Sequence, residues 1–359
     1  MDDLLNSKDP NQEVKPFRVL LKALILLIGF NLILISFPAI PAYLFGMLMP
    51  KLDKFPDLVV HYDPSASHGF GLQNVYDINS LFYSHVISRN GKPKNQYRVI
   101  FIGDSTVFNG GFYKIVDQQI CGNIYLYAYN LGYPGPSANT SLLILQEAMK
   151  YSPDLIVWSV QASLFGSHGN ENLPLANPDK LKELINDYGL PEVNANSLSE
   201  RQIIFNGIED VRLDIRLLTY YLILNPSTRN SNKIQSIAVT DLASKTGPVQ
   251  HLWSSFSWSP ADTATMALQF KAFEKIAYNV PILMVNEPRP SFINNLAQYA
   301  KYRSDALSLG RTQKLEYVDI ADLVPDRDFR DQVHRNAEGD MLFGSAIMPY
   351  ILEAACGQK

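Results

Sequence analysis

Hydrophobic and polar positions divide the chain into unlike stretches. Residues 1–18 are polar, Val19 to Met49 is almost entirely apolar, and residues 51–96 show no sustained period. From Tyr97 onward, short apolar runs alternate with stretches of helical spacing, which is the pattern of an α/β fold. The spacing predicts strands over 97–103, 124–131, 154–160, 280–286 and 315–320. The first has an apolar run suited to burial on both faces. The second sets Tyr125, Tyr127 and Tyr129 on one face, and Pro153 introduces the third. Helices are expected after Ser105 (with Val107, Phe108, Phe112, Ile115 and Val116 as apolar positions) and over 139–151, 263–277, 291–306 and 337–355. Five strands alternating with helices imply a three-layer α/β/α domain around a parallel five-stranded sheet.

The middle of the chain, about 166–262, breaks this rhythm as an insertion or lid. It holds a possible helix at 178–188 and a Tyr-rich apolar stretch, Leu213 to Leu224. That stretch is too short, and at Asp214 and Arg216 too charged, to span a membrane. A packed helix is the preferred reading, with a membrane-resting or substrate-covering element as the alternative. Residues 226–262 are rich in Ser, Thr and Asn and read as loop. There is no internal repeat.

The N-terminal apolar run changes the picture most. A helix needs about 20 apolar residues to cross a bilayer, and Leu20 to Ile40 supplies them. The expected organisation is a cytoplasmic tail over 1–18, a transmembrane anchor over 19–42, a linker over 43–96 and an α/β domain over 97–359. A cleaved signal peptide competes with the anchor, because Ile40-Pro41-Ala42 loosely resembles a cleavage site. Against it stand the long leading segment with Asp2, Asp3, Asp9 and Glu13, and an apolar run longer than a usual signal core. Lys8, Lys15, Arg18 and Lys22 precede the span, while Lys51 and Lys54 follow it. That bias favours a single-pass protein with its N-terminus in the cytoplasm and its domain outside.

Composition excludes other classes. A formal net charge of −4 and the lack of any basic block argue against nucleic acid as a partner. The two cysteines, Cys121 and Cys356, fit no zinc spacing; they are either free thiols or one disulfide. No cofactor or metal is called for. A metal-dependent site at Asp322, Asp326 and Asp328 is weaker than a plain acidic loop, since no histidine accompanies them.

The chemistry lies at strand ends. The first strand closes on Gly103-Asp104-Ser105, and Asp331-Gln332-Val333-His334 stands before the last helix. Together they supply a hydrolytic triad: Ser105 as nucleophile, His334 as base, Asp331 to orient it. Gly103 allows a sharp turn, and Asp104 can hold that turn through backbone hydrogen bonds. Ser105 is expected to cap its helix, with its N–H at a positive helix end suited to an oxyanion. Asn336 or Asp331 can cap the last helix, and Gly339 permits close packing. Asn130-Leu131-Gly132 and Ser159-Val160-Gln161 end the second and third strands. They offer the Gly132 N–H and the Gln161 amide as further oxyanion donors.

These blocks resemble the SGNH (GDSL-type) hydrolase superfamily over about 97–161 and 279–355. Ser105 matches the nucleophile, Gly132 the second oxyanion donor, and Asp331 and His334 the acid and base. The ending Phe329 to Gly339 is close to the usual last block. The third block departs from Gly-x-Asn-Asp and reads Ser159-Val160-Gln161-Ala162, with Gln161 in the place of the donor Asn. The resemblance implies a flavodoxin-like domain and a serine esterase or O-acyltransferase. With the anchor, it is similar to the membrane-anchored branch that modifies envelope polymers, whose substrate is an acylated glycan. The alternative is a catalytically inactive SGNH-fold protein that binds a glycan or an envelope partner. His168, Tyr220, Tyr221, Trp253 and Trp258 are candidates for stacking on a sugar or contacting an acceptor, although aromatics at such positions are also ordinary packing residues.

Overall fold

The structure is a computed structural model. It describes residues 94–108, 110–116, 119–133, 135–165, 177–191, 256–313 and 315–357, with Lys92 and a few positions within 19–29. Six strands form one sheet: β1 (Gln96–Ile102), β2 (Ile120–Cys121), β3 (Ile124–Asn130), β4 (Leu155–Val160), β5 (Ile282–Asn286) and β6 (Glu316–Asp319). Their order is β2-β3-β1-β4-β5-β6.

The five strands expected from the pattern are all present and mutually parallel. The sixth corrects both the expected count and the expected all-parallel sheet. β2 pairs antiparallel with β3 through Ile120↔Tyr125 and Cys121↔Ile124. Two residues are too few to show alternation. The only local mark of this hairpin is its Gly122-Asn123 turn, where Gly122 has φ +61°. Among the parallel strands the spatial order is second, first, third, fourth, fifth, which is flavodoxin-like. In that order the crevice opens beyond the carboxyl ends of β1 and β4.

Alternation along β1 explains the three layers. Ile100 and Ile102 join one apolar cluster, while Val99 and Phe101 join the other. On the first face lie α3 (Ala138–Ala148), α5 (Pro260–Ala277) and α7 (Ala297–Thr312), flanked by α4 (Pro178–Tyr188). There Trp158 stacks on Phe273 at 3.7 Å, with Phe165 and Phe270 edge-on to it. On the second face lie α2 (Tyr113–Val116) and α8 (Ala337–Cys356), where Phe112 meets Phe101 and Phe343 edge-on. Full burial of one such phenylalanine contributes about 1.5–3 kcal/mol.

Two expected helices divide. The one after Ser105 becomes α1 (Ser105–Phe108) and α2, broken around Gly110-Gly111. The one over 291–306 becomes α6 (Ser291–Asn294) and α7, broken at Asn295-Leu296. In both, the apolar spacing carries across the break because both pieces bury residues against the same core. The structure also pairs Cys121 with Cys356, with a Cα separation of 5.7 Å, tying the β2 edge to the end of α8.

Of the expected span over 19–42, residues 19–22, 24–26 and 29 are described, and they are helical. Val19, Leu20, Leu21, Leu24, Ile25 and Leu26 are all exposed there. Among the described residues no helix is long and apolar enough to cross a membrane. The rest of that span, the tail over 1–18, the linker and the stretch Leu213 to Leu224 lie outside the described residues. So does the loop over 226–262 up to residue 255.

Candidate active site

The turn after β1 is built by three consecutive residues. A Cβ on Gly103 would stand 2.5 Å from Val107 Cγ2 and 3.0 Å from Ser159 Cβ, so only glycine lets the turn lie this close to β4. Asp104 Oδ1 accepts from the Thr106 N–H at 2.8 Å and from the Thr106 hydroxyl at 2.6 Å. Its carbonyl accepts from Val107 and Phe108. Asp104 is therefore the capping residue, and Ser105 is the first residue of the helix instead of its cap. With α1 only four residues long, the expected help from a helix dipole reduces to that of a single turn.

Ser105, His334 and Asp331 come together as expected. Ser105 Oγ lies 2.9 Å from His334 Nε2, and His334 Nδ1 lies 2.8 Å from Asp331 Oδ2. Asp331 can only accept when ionised, so it draws the ring proton onto Nδ1. Nε2 is left to take the serine proton. Asp331 Oδ1 also accepts the N–H groups of Val333 at 2.9 Å and His334 at 2.8 Å. Partial burial opposes its charge, but the hydrogen bonds from the His334 ring and the two amides outweigh that. They hold the carboxyl down to about 2.

The loop itself is fixed at both ends. Phe329 and Arg335 form a bridge, and Arg330 N–H donates to the His334 carbonyl at 2.9 Å. Asn336 caps α8 by accepting from Gly339 N–H at 2.9 Å. A Cβ on Gly339 would stand 2.5 Å from the Asp328 carbonyl oxygen, the close packing the sequence called for.

The two further oxyanion candidates differ. Gly132 sits at the right strand end, but its N–H donates to Asn130 Oδ1 at 3.0 Å. Asn130 in turn donates to the Val107 carbonyl at 2.6 Å. A Cβ on Gly132 would stand 2.8 Å from Phe108 Cα, so the position needs glycine first of all to let α1 approach. Gln161 is buried, and its Oε1 accepts from Arg289 Nη2. Arginine has no acceptor, so this bond fixes the amide: Oε1 faces Arg289 and Nε2 faces away.

Beneath the triad lies a buried charged cluster that sequence reasoning missed. Glu287 accepts from the Ser159 hydroxyl, and its other oxygen lies against the hydroxyl of Thr106. Arg289 Nη2 lies 3.1 Å from Glu287 Oε2 and 3.5 Å from Asp104 Oδ2. Arg335 binds Asp340 Oδ1 at 2.9 Å and the Thr106 carbonyl at 3.3 Å, and its guanidinium stacks 4.3 Å from the Phe343 ring centroid. Burial raises the Glu287 carboxyl above its ordinary value, and Asp104 adds to that, against Arg289 and Arg335. The available signal was Glu287-Pro288-Arg289, two charges directly past the apolar β5 run and so at the same sheet edge as Ser105 and Gln161.

The other candidates stand differently. Trp258 is buried, donates to Asp305 Oδ2 at 2.9 Å and packs edge-on against Tyr302, so it is core and not a sugar platform. His168, Tyr220, Tyr221 and Trp253 lie outside the described residues. Asp322 pairs with Arg303 at 2.8 Å, and Asp326 accepts from the Ser291 N–H and hydroxyl at 2.7 and 2.6 Å. Among the described residues no group of three or more acids, histidines or cysteines is placed to hold a metal.

No protein-family model matches the chain, and no curated protein matches it. Among solved structures it is similar to a carbohydrate acetylesterase family member from Sinorhizobium meliloti, at 12% identity and TM-score 0.35. That match covers 73% of this chain and 99% of the other. It is also similar to a Corynascus thermopiles (Myceliophthora fergusii) carbohydrate esterase family 2 enzyme with a carbohydrate binding domain. There the identity is 14% and the TM-score 0.34, covering 74% of this chain and 68% of the other. At this similarity the functional argument rests on the geometry of the site.

Proposed function

We propose that the chain is a serine esterase or O-acyltransferase of SGNH type, anchored in a membrane and acting outside the cytoplasm on acyl esters of envelope or extracellular glycans. One observation carries the chemistry: the continuous relay from Ser105 Oγ through His334 to Asp331, at 2.9 and 2.8 Å, on the carboxyl edge of the sheet. In the reaction, Ser105 Oγ attacks the acyl carbon while its proton passes to His334 Nε2. The carbonyl oxygen becomes an oxyanion. As that intermediate collapses, the C–O bond to the sugar breaks and the departing alcohol takes the proton from His334. Water or another sugar hydroxyl then attacks acyl-Ser105, again giving its proton to His334.

Two further observations support the placement. The Cys121–Cys356 pair belongs to an oxidising compartment. The exposed aliphatic residues between Val19 and Leu26 suit a helix surrounded by lipid. The glycan substrate rests on the resemblance of the sequence blocks and on the anchor.

The test is the intact mass of the full-length protein in detergent after treatment with a fluorophosphonate, beside Ser105→Ala. One adduct on the wild type and none on the variant is expected. A folded wild type that stays unlabelled sinks the enzyme reading and favours a glycan- or partner-binding protein. A reporter fused after residue 50 that proves cytoplasmic removes the envelope placement.

A further inference from the structure

Arg289 touches all three parts of the site that must keep register. Its Nη2 donates to Gln161 Oε1 past the end of β4 and lies 3.5 Å from Asp104 Oδ2 in the nucleophile turn. Its Nη1 donates to the Val333 carbonyl, beside His334, at 3.3 Å. Its charge faces Glu287 at 3.1 Å, and the whole side chain is buried. A neutral hydrogen bond would leave the Gln161 amide free to turn over. A guanidinium does not, because it offers donors only. A cation on Oε1 also draws electron density through the amide and strengthens Nε2–H as a donor. Gln161 Nε2 donates to no group among the described residues. Gly132 N–H, by contrast, is already given to Asn130.

We infer that Arg289 is a positioning residue: it locks Gln161 with Nε2 toward the reacting carbonyl oxygen, so that the Arg289–Gln161 pair supplies the oxyanion donor in the third block. The inference rests on the esterase reading of Ser105, and it explains how a longer side chain in that block keeps a fixed geometry. Asparagine has one fewer rotatable bond; glutamine here recovers that order through a buried partner.

Gln161→Glu separates the roles at the cost of one added carboxylate beside Arg289. It keeps the shape and the acceptor facing Arg289 but removes the NH2 donor. With full-length protein in detergent and p-nitrophenyl acetate as the probe, we expect kcat to fall about 10²-fold, with KM changed less than about threefold. Arg289→Lys keeps a positive charge but not the fork, and is expected to fall by about tenfold. In the double variant Gln161→Glu with Arg289→Lys, the loss should match that of Gln161→Glu alone.

Selective 15N-glutamine labelling gives a readout independent of turnover. The Gln161 NH2 resonances, assigned by their loss in Gln161→Glu, should be dispersed in the wild type and collapse toward solvent-exposed shifts in Arg289→Lys. Unmoved resonances, or losses that multiply in the double variant, overturn the coupling while leaving the esterase intact. A Gln161→Glu protein with full kcat overturns the donor role. A folded wild type inert to both ester and fluorophosphonate instead overturns the esterase reading itself, and the catalytic meaning of the pair with it.

Discussion

The triad and the charged cluster below it both pair an acid with a basic side chain, under opposite conditions. His334 and Asp331 keep 21% and 46% of their side-chain surface exposed, whereas Glu287 and Arg289 keep none. Exposure leaves the proposed triad open to solvent and to a substrate. Complete burial makes every charge of the cluster depend on its partners, because an unpaired ion there is costly. The cluster therefore holds shape, and the chemistry is left to the proposed triad. The two meet at Asp104 and Thr106, which flank Ser105 on either side.

That division is easiest to break with one substitution in each region. Asp331→Asn keeps the size of the side chain but supplies an amide where the ring proton must be accepted. It is expected to lower kcat for an activated ester by about 10³–10⁴-fold, with little change in the urea midpoint at neutral pH. Glu287→Ala should do the reverse in emphasis: it leaves Arg289 and Arg335 facing fewer anions and is expected to cost about 3–5 kcal/mol of stability, read from urea unfolding. If Glu287→Ala unfolds at the wild-type midpoint, the cluster is not what holds the site.

A third substitution lies between the two regions. Gly132→Ala places a methyl group against the backbone of α1. The overpacking is expected to cost about 1–3 kcal/mol. Because α1 begins at Ser105, kcat should fall as well. An alanine variant with unchanged rate would show that α1 can give way without moving Ser105.

The same contrast explains what was legible in the sequence. Ser105, Asp331 and His334 sit in short contiguous blocks whose spacing already suggests that they meet, and the structure brings them together. Four of the five parallel strands were readable because each carries its own apolar run, and the shorter β6 through Leu315 and Ile320 on either side of it. Glu287 and Arg289 were not, since nothing local says that two charges on either side of Pro288 fold inward; only the sheet order brings them under β1 and β4. β2 was hidden by its length, and α1 by an apolar spacing that continues past Gly110-Gly111. Asp104 and Ser105 are both good capping residues, and only the geometry decides between them.

The smallest expected effect sharpens the comparison because its sign differs between the regions. Asp331 has a carboxyl lowered from 3.8 to about 2. Between those values the unfolded chain holds a proton that the folded one lacks, so stability rises with pH across this window. It is lost again as pH falls through about 2. Glu287 is raised above 4.5 by burial and by Asp104. Above 4.5 the folded state keeps a proton the unfolded chain has released, so stability falls as pH rises toward the folded value. The two groups thus give a rising limb below about pH 4 and a falling limb above it. Urea midpoints across pH should show Asp331→Asn flattening the first limb, by a small amount because the group is half exposed. Glu287→Gln should flatten the second and leave the first in place. A falling limb that survives Glu287→Gln would show that Glu287 does not hold that proton.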